Sequence, residues 1–450
     1  MLDREFIVLL TSFRRLLRRN ATNAVKKMIK KTHPVDLAKI FRSFTDHERR
    51  TVFDMIEDVH YKAELIAELD TDIFHELLAN YETDKIKNII VELPGDDQAD
   101  VLDKLPDEIE KNVIELMNSK ESREIDELLK YPPESAGGLM VTLPFKMQEE
   151  STVKEAIKTV QSQEDMELVF YIYIVDEDNR LTGVLSLREL LSAKPEDKLK
   201  DIMRKDLITV NPETDQEVVA RIVSRYDFMA IPVVDESNHM LGIITVDDII
   251  DVIREEATED FLQMVGAGRD REILFKSTLE EAKLRFPWLF ATWVGGVLAS
   301  GIVNSFGDLL KQVVALAAFM PIIAGMGGNI GTQSATIVIR GLTTGRVDLR
   351  EVGKMIFKQI RVGLLLGLAY GLGLSILVQI LYPASGIMVG VVVGLGIGSV
   401  MLLAAFMGTI APLLLDKLKT DPAIATGPFV TTSIDILGML IYFSIASAML

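Results

Sequence analysis

Residues 422–450 read PAIATGPFVTTSIDILGMLIYFSIASAML, and Asp435 is the single charged side chain in that run. The run is apolar and long enough to cross a bilayer, which takes about 20 residues of helix. A charge at the centre of a membrane helix costs roughly 2.5–3.5 kcal/mol on insertion scales, so such a group is rarely idle. Asp435 is therefore expected to face a water-filled path or a cation. The competing reading is a carboxyl that merely hydrogen-bonds within a helix bundle.

Working backwards from that run, four more spans are expected, at Pro287–Phe306, Leu310–Ile339, Met355–Tyr382 and Gly386–Leu415. The connection between the second and third carries Arg340, Arg346, Arg350, Lys354, Lys358 and Arg361, and that before the fifth carries Lys417 and Lys419. Basic connections stay on the cytoplasmic side. Five crossings that start inside, at Lys283 and Arg285, put both basic connections inside and the C-terminus outside. The expected setting is the cell's inner (plasma) membrane, multi-pass, with the preceding domains cytoplasmic.

The second span contains PIIAGMGGNIGTQSATIVIR, Pro321 to Arg340. Its glycines and its polar Asn329, Thr332, Gln333 and Ser334 suggest irregular backbone beside an aqueous cavity. Close packing of small residues is the competing reading. In the fifth span Gly427 and Pro428 are expected to interrupt the helix before Asp435. Proline there would free the carbonyl of residue 424. Thr431, one turn before Asp435, would share its face.

Charge is distributed unevenly. From Phe286 onward there are 9 Lys and Arg against 6 Asp and Glu, which leaves 39 basic and 60 acidic residues before it. A strongly acidic region thus precedes a nearly uncharged one, which argues for cation binding and against nucleic acid. The chain has no cysteine, so disulfides and thiolate metal sites are excluded. The N-terminal MLDREFIVLLTSFRRLLRRN has too short an apolar core for a signal peptide.

Within the acidic region a unit is duplicated. Val175-Asp176 recurs as Val234-Asp235, Gly183 as Gly242, Ser186 as Thr245 and Glu189 as Asp248, always 59 residues apart. Each copy reads helix, β-branched strand, turn, strand, helix. The duplication resembles a tandem pair of CBS domains, which bind adenine nucleotides. That resemblance implies ribose or phosphate contacts from Ser186, Arg188 and Glu189 in the first copy and from Thr245 and Asp248 in the second. Tyr171, Tyr173 and Phe228 would either stack on a base or fill the core. Ahead of the pair, YPPESAGGLM (131–140) reads as a hinge. Residues 32–130 repeat a short helical theme, as in ELDTDIFHELL and KLPDEIEKNVI, with Asp or Thr caps and first-turn prolines at the junctions.

After the second copy comes VDDIIDVIREEATED. Its carboxylates, Asp248, Asp251, Glu255, Glu256, Glu259 and Asp260, are three- and four-residue neighbours that repel on a helix. A divalent cation relieves such repulsion. A merely solvated face is the plainer reading.

Taken together these residues resemble the MgtE family of magnesium channels over essentially the whole chain. The most specific elements are Gly327-Gly328-Asn329, Gln333-Ser334-Ala335-Thr336 and Asp435. The resemblance implies a multidomain fold: an all-α superhelical N domain (1–131), an α/β tandem CBS pair (132–253), an acidic plug-type linker helix (254–285) and a five-helix transmembrane domain (286–450). It implies a homodimer in membrane lipid, with Mg²⁺ as both substrate and regulator. Asp435, assisted by the backbone at Thr431, would hold hydrated Mg²⁺ in the pore. Regulatory Mg²⁺ would be held by Asp97 and Asp100, by Asp215, Glu217 and Asp227, and by Asp248, Asp251, Glu256, Glu259 and Asp260. ATP or another adenine nucleotide would occupy the CBS cleft.

Two other readings stay open: a coupled divalent-cation carrier, and a membrane-anchored CBS sensor that transports nothing. No phosphate-cradling loop, triad or other catalytic constellation is recognisable, so an enzyme is not expected.

Overall fold

The computed structural model describes residues 3–450 except 80, 119–124, 126–127, 143–144, 163–169, 269, 271–272, 274–275, 344–351, 419 and 426. Arg346, Arg350 and Lys419, used above to orient the spans, lie outside the described residues. The chain divides into two compact units, Met1–Ile253 and Arg254–Leu450.

The first unit begins with α1 (Asp3–Arg18), α2 (Thr22–Ile29), α3 (Pro34–Phe41), α4 (Asp46–Asp54), α5 (Val59–Ala67), α6 (Thr71–Leu78), α7 (Thr83–Ile90), α8 (Gly95–Asp103) and α9 (Asp107–Leu116). From α2 on these helices are too short to persist alone in water, so stacking must hold them. They bury Phe41, Phe53, Phe74, Ile90 and Leu102 in one continuous core. Thr45 and Glu48 form a reciprocal capping box at α4, and Asp58 caps α5. Pro34 opens the first turn of α3 as expected, whereas Pro94 and Pro106 occupy the cap position itself, one residue before the first turn. Asp70 does not cap α6 with its side chain; instead it accepts two 2.8 Å hydrogen bonds from the Arg42 guanidinium.

The duplicated segment forms two small sheets. In the first, β1 (Lys146–Gln148) runs parallel to β2 (Tyr171–Val175), which pairs antiparallel with β3 (Leu181–Ser186). In the second, β4 (Ala230–Val234) pairs antiparallel with β5 (Met240–Thr245). Around them lie α10 (Val153–Ser162), α11 (Leu187–Ser192), α12 (Leu199–Ile202), α13 (Gln216–Tyr226) and α14 (Val246–Met264). Both hairpin turns hold an asparagine in the left-handed region, Asn179 at φ 64° and Asn238 at φ 66°. Each amide reaches into the other hairpin: Asn179 Nδ2 donates to the Met240 carbonyl at 3.4 Å, and Asn238 Nδ2 to the Leu181 carbonyl at 2.7 Å.

The segment 131–140 is not a hinge. Ala136 N donates to Thr214 O at 2.7 Å, Gly137 N to Pro212 O at 2.8 Å and Val141 N to Ile243 O at 2.8 Å, which fastens it to the second copy. Its glycines are there for close approach. A Cβ on Gly137 would lie 2.4 Å from the Tyr131 ring, and one on Gly138 would lie 2.6 Å from the Pro132 carbonyl.

Among the described residues the second unit holds five helices long and apolar enough to cross a membrane: α15 (Thr278–Ser305), α17 (Ala315–Thr343), α18 (Val352–Leu381), α19 (Ile387–Lys417) and α20 (Gly427–Met449). A short α16 (Gly307–Gln312) takes the first residues expected in the second span. Two expectations are corrected here. The glycine-rich second span is continuous helix, not irregular backbone, because its small residues admit neighbouring helices. A Cβ on Gly331 would meet Ile434 at 2.2 Å, and one on Gly408 would meet the Gly331 carbonyl at 2.2 Å. Among the described residues, the expected linker helix at 254–285 is divided into the end of α14, a turn with Gly266 (φ 70°) and Gly268 (φ 102°), and the start of α15.

Candidate functional site

In the first unit the sequence GDDQAD starts α8 just after Pro94, so acids crowd a helix N-terminus, where the dipole favours them. The buried Ala99 of this helix shares a core with Val219, Ile231 and Ile244 of the second duplicated copy. The same packing brings the α8 carboxylates towards Asp248 at the start of α14. Burial pushes the Asp96 carboxyl up to about 8, reinforced by the charges of Asp248 and Asp97. Asp97 is pushed up to about 6 by burial, Asp248 and Asp100, against the pull of Lys104. Asp248 is also raised to about 6, because burial outweighs its hydrogen bonds from Thr245. Asp100 is raised by desolvation, opposed by Lys104.

Asp96 was not among the residues singled out from the sequence, yet it is the most deeply buried of the four at 8 % exposure. Its Oδ1 has no hydrogen-bond partner among the described residues. Its only sequence signal was adjacency to Asp97. Among the described residues no three acids are drawn tightly enough to form a ready-made metal site. The donor set is nonetheless all oxygen, which suits a hard cation that keeps part of its water shell.

The nucleotide-type residues have structural duties of their own. Ser186 and Glu189 form the capping box of α11, with Ser186 Oγ donating to Glu189 at 2.7 Å. The other oxygen of Glu189 accepts from Arg204 Nε at 2.9 Å and Nη2 at 2.6 Å. Burial alone would raise the Glu189 carboxyl, but these bonds from Ser186 and Arg204 hold it below the usual range. Arg188 is exposed. Thr245 Oγ1 donates to Asp248 at 2.6 Å. Tyr173 belongs to the core, whereas Tyr171 is half-buried and Phe228 stacks on Tyr226 at 5.5 Å.

Asp215 and Asp227, both expected as cation ligands, bracket α13. Asp215 accepts from Glu217 N at its start, and Asp227 closes it in the left-handed conformation. Along α14, Asp251 is exposed while Glu256, Glu259 and Asp260 are half-buried.

In the second unit Asp435 lies within α20 and is half-buried. Pro428 does not interrupt this helix. It falls in the first turn, where its missing N–H costs nothing, and the preceding Pro422–Ala425 is a separate 3-10 turn. Thr431, one turn before Asp435, donates back to the Gly427 carbonyl at 3.1 Å. Its neighbour Ile434 packs onto Gly327 and Gly331 of α17. On α17, Gly327, Gly328, Gly331 and Ser334 are buried, while Asn329, Gln333, Thr336 and Arg340 recur along an exposed face. An exposed polar stripe on an otherwise apolar helix implies a wet or protein-covered surface.

The end of α14 abuts the start of α20. A Cβ on Gly427 would lie 3.0 Å from the Met264 carbonyl, and Gly266 faces Pro428. The buried Gln263 donates from Nε2 to Glu259 at 2.8 Å and to Asp421 at 2.7 Å. Asp421 had not been singled out, although it is the one acid between Leu418 and Thr426.

Residues 320–445 match the family described as divalent cation transporter, 32–134 match the MgtE intracellular N domain, and 136–196 and 199–255 match CBS domains. The chain is 40% identical over 329 residues to the magnesium transporter MgtE of Bacillus subtilis, covering 73% of this chain and 72% of that one. The chain belongs to the MgtE family. The MgtE of Thermus thermophilus is 38% identical over 330 residues, again 73% of this chain and 72% of the relative. The cytosolic domain of the Mg²⁺ channel MgtE, solved in complex with ATP, superposes with a TM-score of 0.51 at 33% identity. That match covers 54% of this chain and 99% of the other.

Proposed function

We propose that this MgtE-family chain is a channel that carries Mg²⁺ into the cell and is closed by Mg²⁺ on its cytoplasmic side. The observation that carries the reading is Asp435, a lone acid on an apolar helix whose neighbour Ile434 packs against the glycine face of α17. The polar stripe of Asn329, Gln333 and Thr336 on that helix suits an aqueous path completed by a second copy. One carboxylate per copy, with water filling the remaining positions, suits an ion that sheds its hydration reluctantly. The apolar side chains exposed on α15, among them Leu289, Phe290 and Trp293, suit lipid or a partner helix.

Regulation rests on the crowded acids. Asp96, Asp97, Asp100 and Asp248 repel one another where α8 meets the second CBS copy, and a divalent cation among them would lock that contact. Asp215, Glu217, Asp227, Asp251, Glu256, Glu259 and Asp260 supply further carboxylates for the same purpose, and Asp421 adds one beside the end of α14. ATP or a related adenine nucleotide would bind at the CBS pair, with Tyr171, Ser186, Arg188 and Glu189 in one cleft and Phe228, Thr245 and Asp248 in the other. The basic residues flanking the spans, Lys283 and Arg285 among them, support a cytoplasmic N-terminal unit and an outside C-terminus.

The test is Mg²⁺ flux into proteoliposomes at low cytoplasmic-side Mg²⁺, comparing the intact protein with folded Asp435→Asn. Flux lost in the variant supports the pore assignment. Equal flux in both removes it and moves attention to the Asn329 stripe.

A further inference from the structure

The N-terminal helical array contains a cleft of about 490 Å³ that none of the functions above uses. Its floor is apolar and its rim charged: Phe53 of α4 and Leu77 of α6 are buried, the Tyr81 ring meets Phe53 edge-on at 5.5 Å, and Arg50, Asp54, Lys62, Glu82 and Lys85 complete the lining. Into this cleft three cations project from three different helices, Arg50 from α4, Lys62 from α5 and Lys85 from α7. Such a convergence runs against the composition of a chain with net charge −18.

The two acids of the cleft are already engaged. Asp54 accepts the Tyr81 hydroxyl at 2.8 Å, and Glu82 pairs with Lys85 at 2.9 Å. Arg50 leans on Glu76, 3.9 Å away, a carboxylate it shares with Arg49. Lys62 is different. Among the described residues no carboxylate lies within ion-pair distance of it, and its ammonium sits 5.0 Å from the Phe53 ring centre and 5.9 Å from that of Tyr81. Burial holds its pKa below the ordinary lysine value, with only the more distant charge of Asp54 opposing. A half-buried cation held by aromatic faces alone lacks the anion that would offset its desolvation.

We propose that this cleft binds the phosphate group of a small phosphate monoester whose organic body rests on the half-buried Tyr81. The choice of anion follows from the donors. Three cations arriving from separate walls match the three terminal oxygens of a dianionic phosphate, whereas a planar carboxylate serves a two-pronged donor on one side. The volume is that of an ordinary small-molecule site.

Phenyl phosphate is a suitable probe, titrated calorimetrically into the full chain in detergent without Mg²⁺. Binding should weaken at least tenfold in Lys62→Met, which keeps the apolar stem, and be largely kept in Lys62→Arg. It should be unchanged in Ser186→Ala, which alters the CBS cleft. No binding at millimolar phenyl phosphate, or equal affinity in Lys62→Met, would overturn the proposal. Loss confined to Ser186→Ala would place the probe in the CBS cleft and overturn it too. Benzoate binding as tightly as phenyl phosphate would overturn the phosphate assignment. Should Lys62→Met fail to fold, the exposed Arg50→Gln carries the test, and unchanged affinity there counts against the site.

Discussion

The two units treat carboxylates in opposite ways. The first gathers Asp96, Asp97, Asp100 and Asp248 where two subdomains meet, each pushed up by burial and by its neighbours. The second sets one apart, Asp435, the lone charge on its last membrane-length helix. Crowding makes a site whose empty state is costly, so occupancy reports concentration. Isolation makes a site that holds an ion weakly enough to let it go. Accumulated repulsion suits sensing, and a single charge suits passage.

The sharpest way to break this comparison is to neutralise one member of each group. Asp435→Asn should lower Mg²⁺ flux by about 100-fold or more, as expected when the one charge on a path is removed. Asp248→Asn should leave maximal flux intact and raise the Mg²⁺ concentration that closes the channel by about tenfold, which is ~1.4 kcal/mol of lost coupling. Flux lost in Asp248→Asn, or retained in Asp435→Asn, would merge the two roles.

Acidity offers a gentler probe. Asp96 at about 8 and Asp97 and Asp248 at about 6 all lie above the unfolded carboxylate value of about 3.9. Between those limits the folded unit holds more protons than the unfolded chain. The contribution of these three acids to its stability is therefore fullest below pH 4 and is lost as pH rises towards 8. Hydrogen exchange of α8 in the full chain, without divalent cations, should accelerate over that range beyond the intrinsic rate, and Mg²⁺ should flatten the dependence. A flat profile without Mg²⁺ would mean that the acids do not feel one another.

Much of this was legible in the sequence because it was periodic. Five apolar runs gave five helices, and the 59-residue spacing of Gly183 and Gly242 returned as the same spacing of the strands. What was misread depended on packing partners that a sequence does not name. The glycines of α17 looked like breaks because nothing in the sequence says that Ile434 and Gly408 fill the space beside them. Pro428 looked like an interruption because its distance from the true helix start was unknown. Asp96 was missed because burial, not residue type, sets it apart from Asp97.

The smallest prediction concerns the hairpin turns. Asn238→Ala loses the amide bond to Leu181 and places a Cβ-bearing residue without local compensation at φ 66°. It should destabilise the first unit by about 1–2 kcal/mol, measured by thermal unfolding of the full chain. The reciprocal stitching of Asn179 and Asn238 also bears on ancestry. A duplicated segment usually begins as two interchangeable halves, each able to stand or fall alone. Here each half supplies the amide that finishes the other's turn, so deleting one copy would strand the survivor. The pair has become a single inheritable piece, and any shuffling of such modules must move both together.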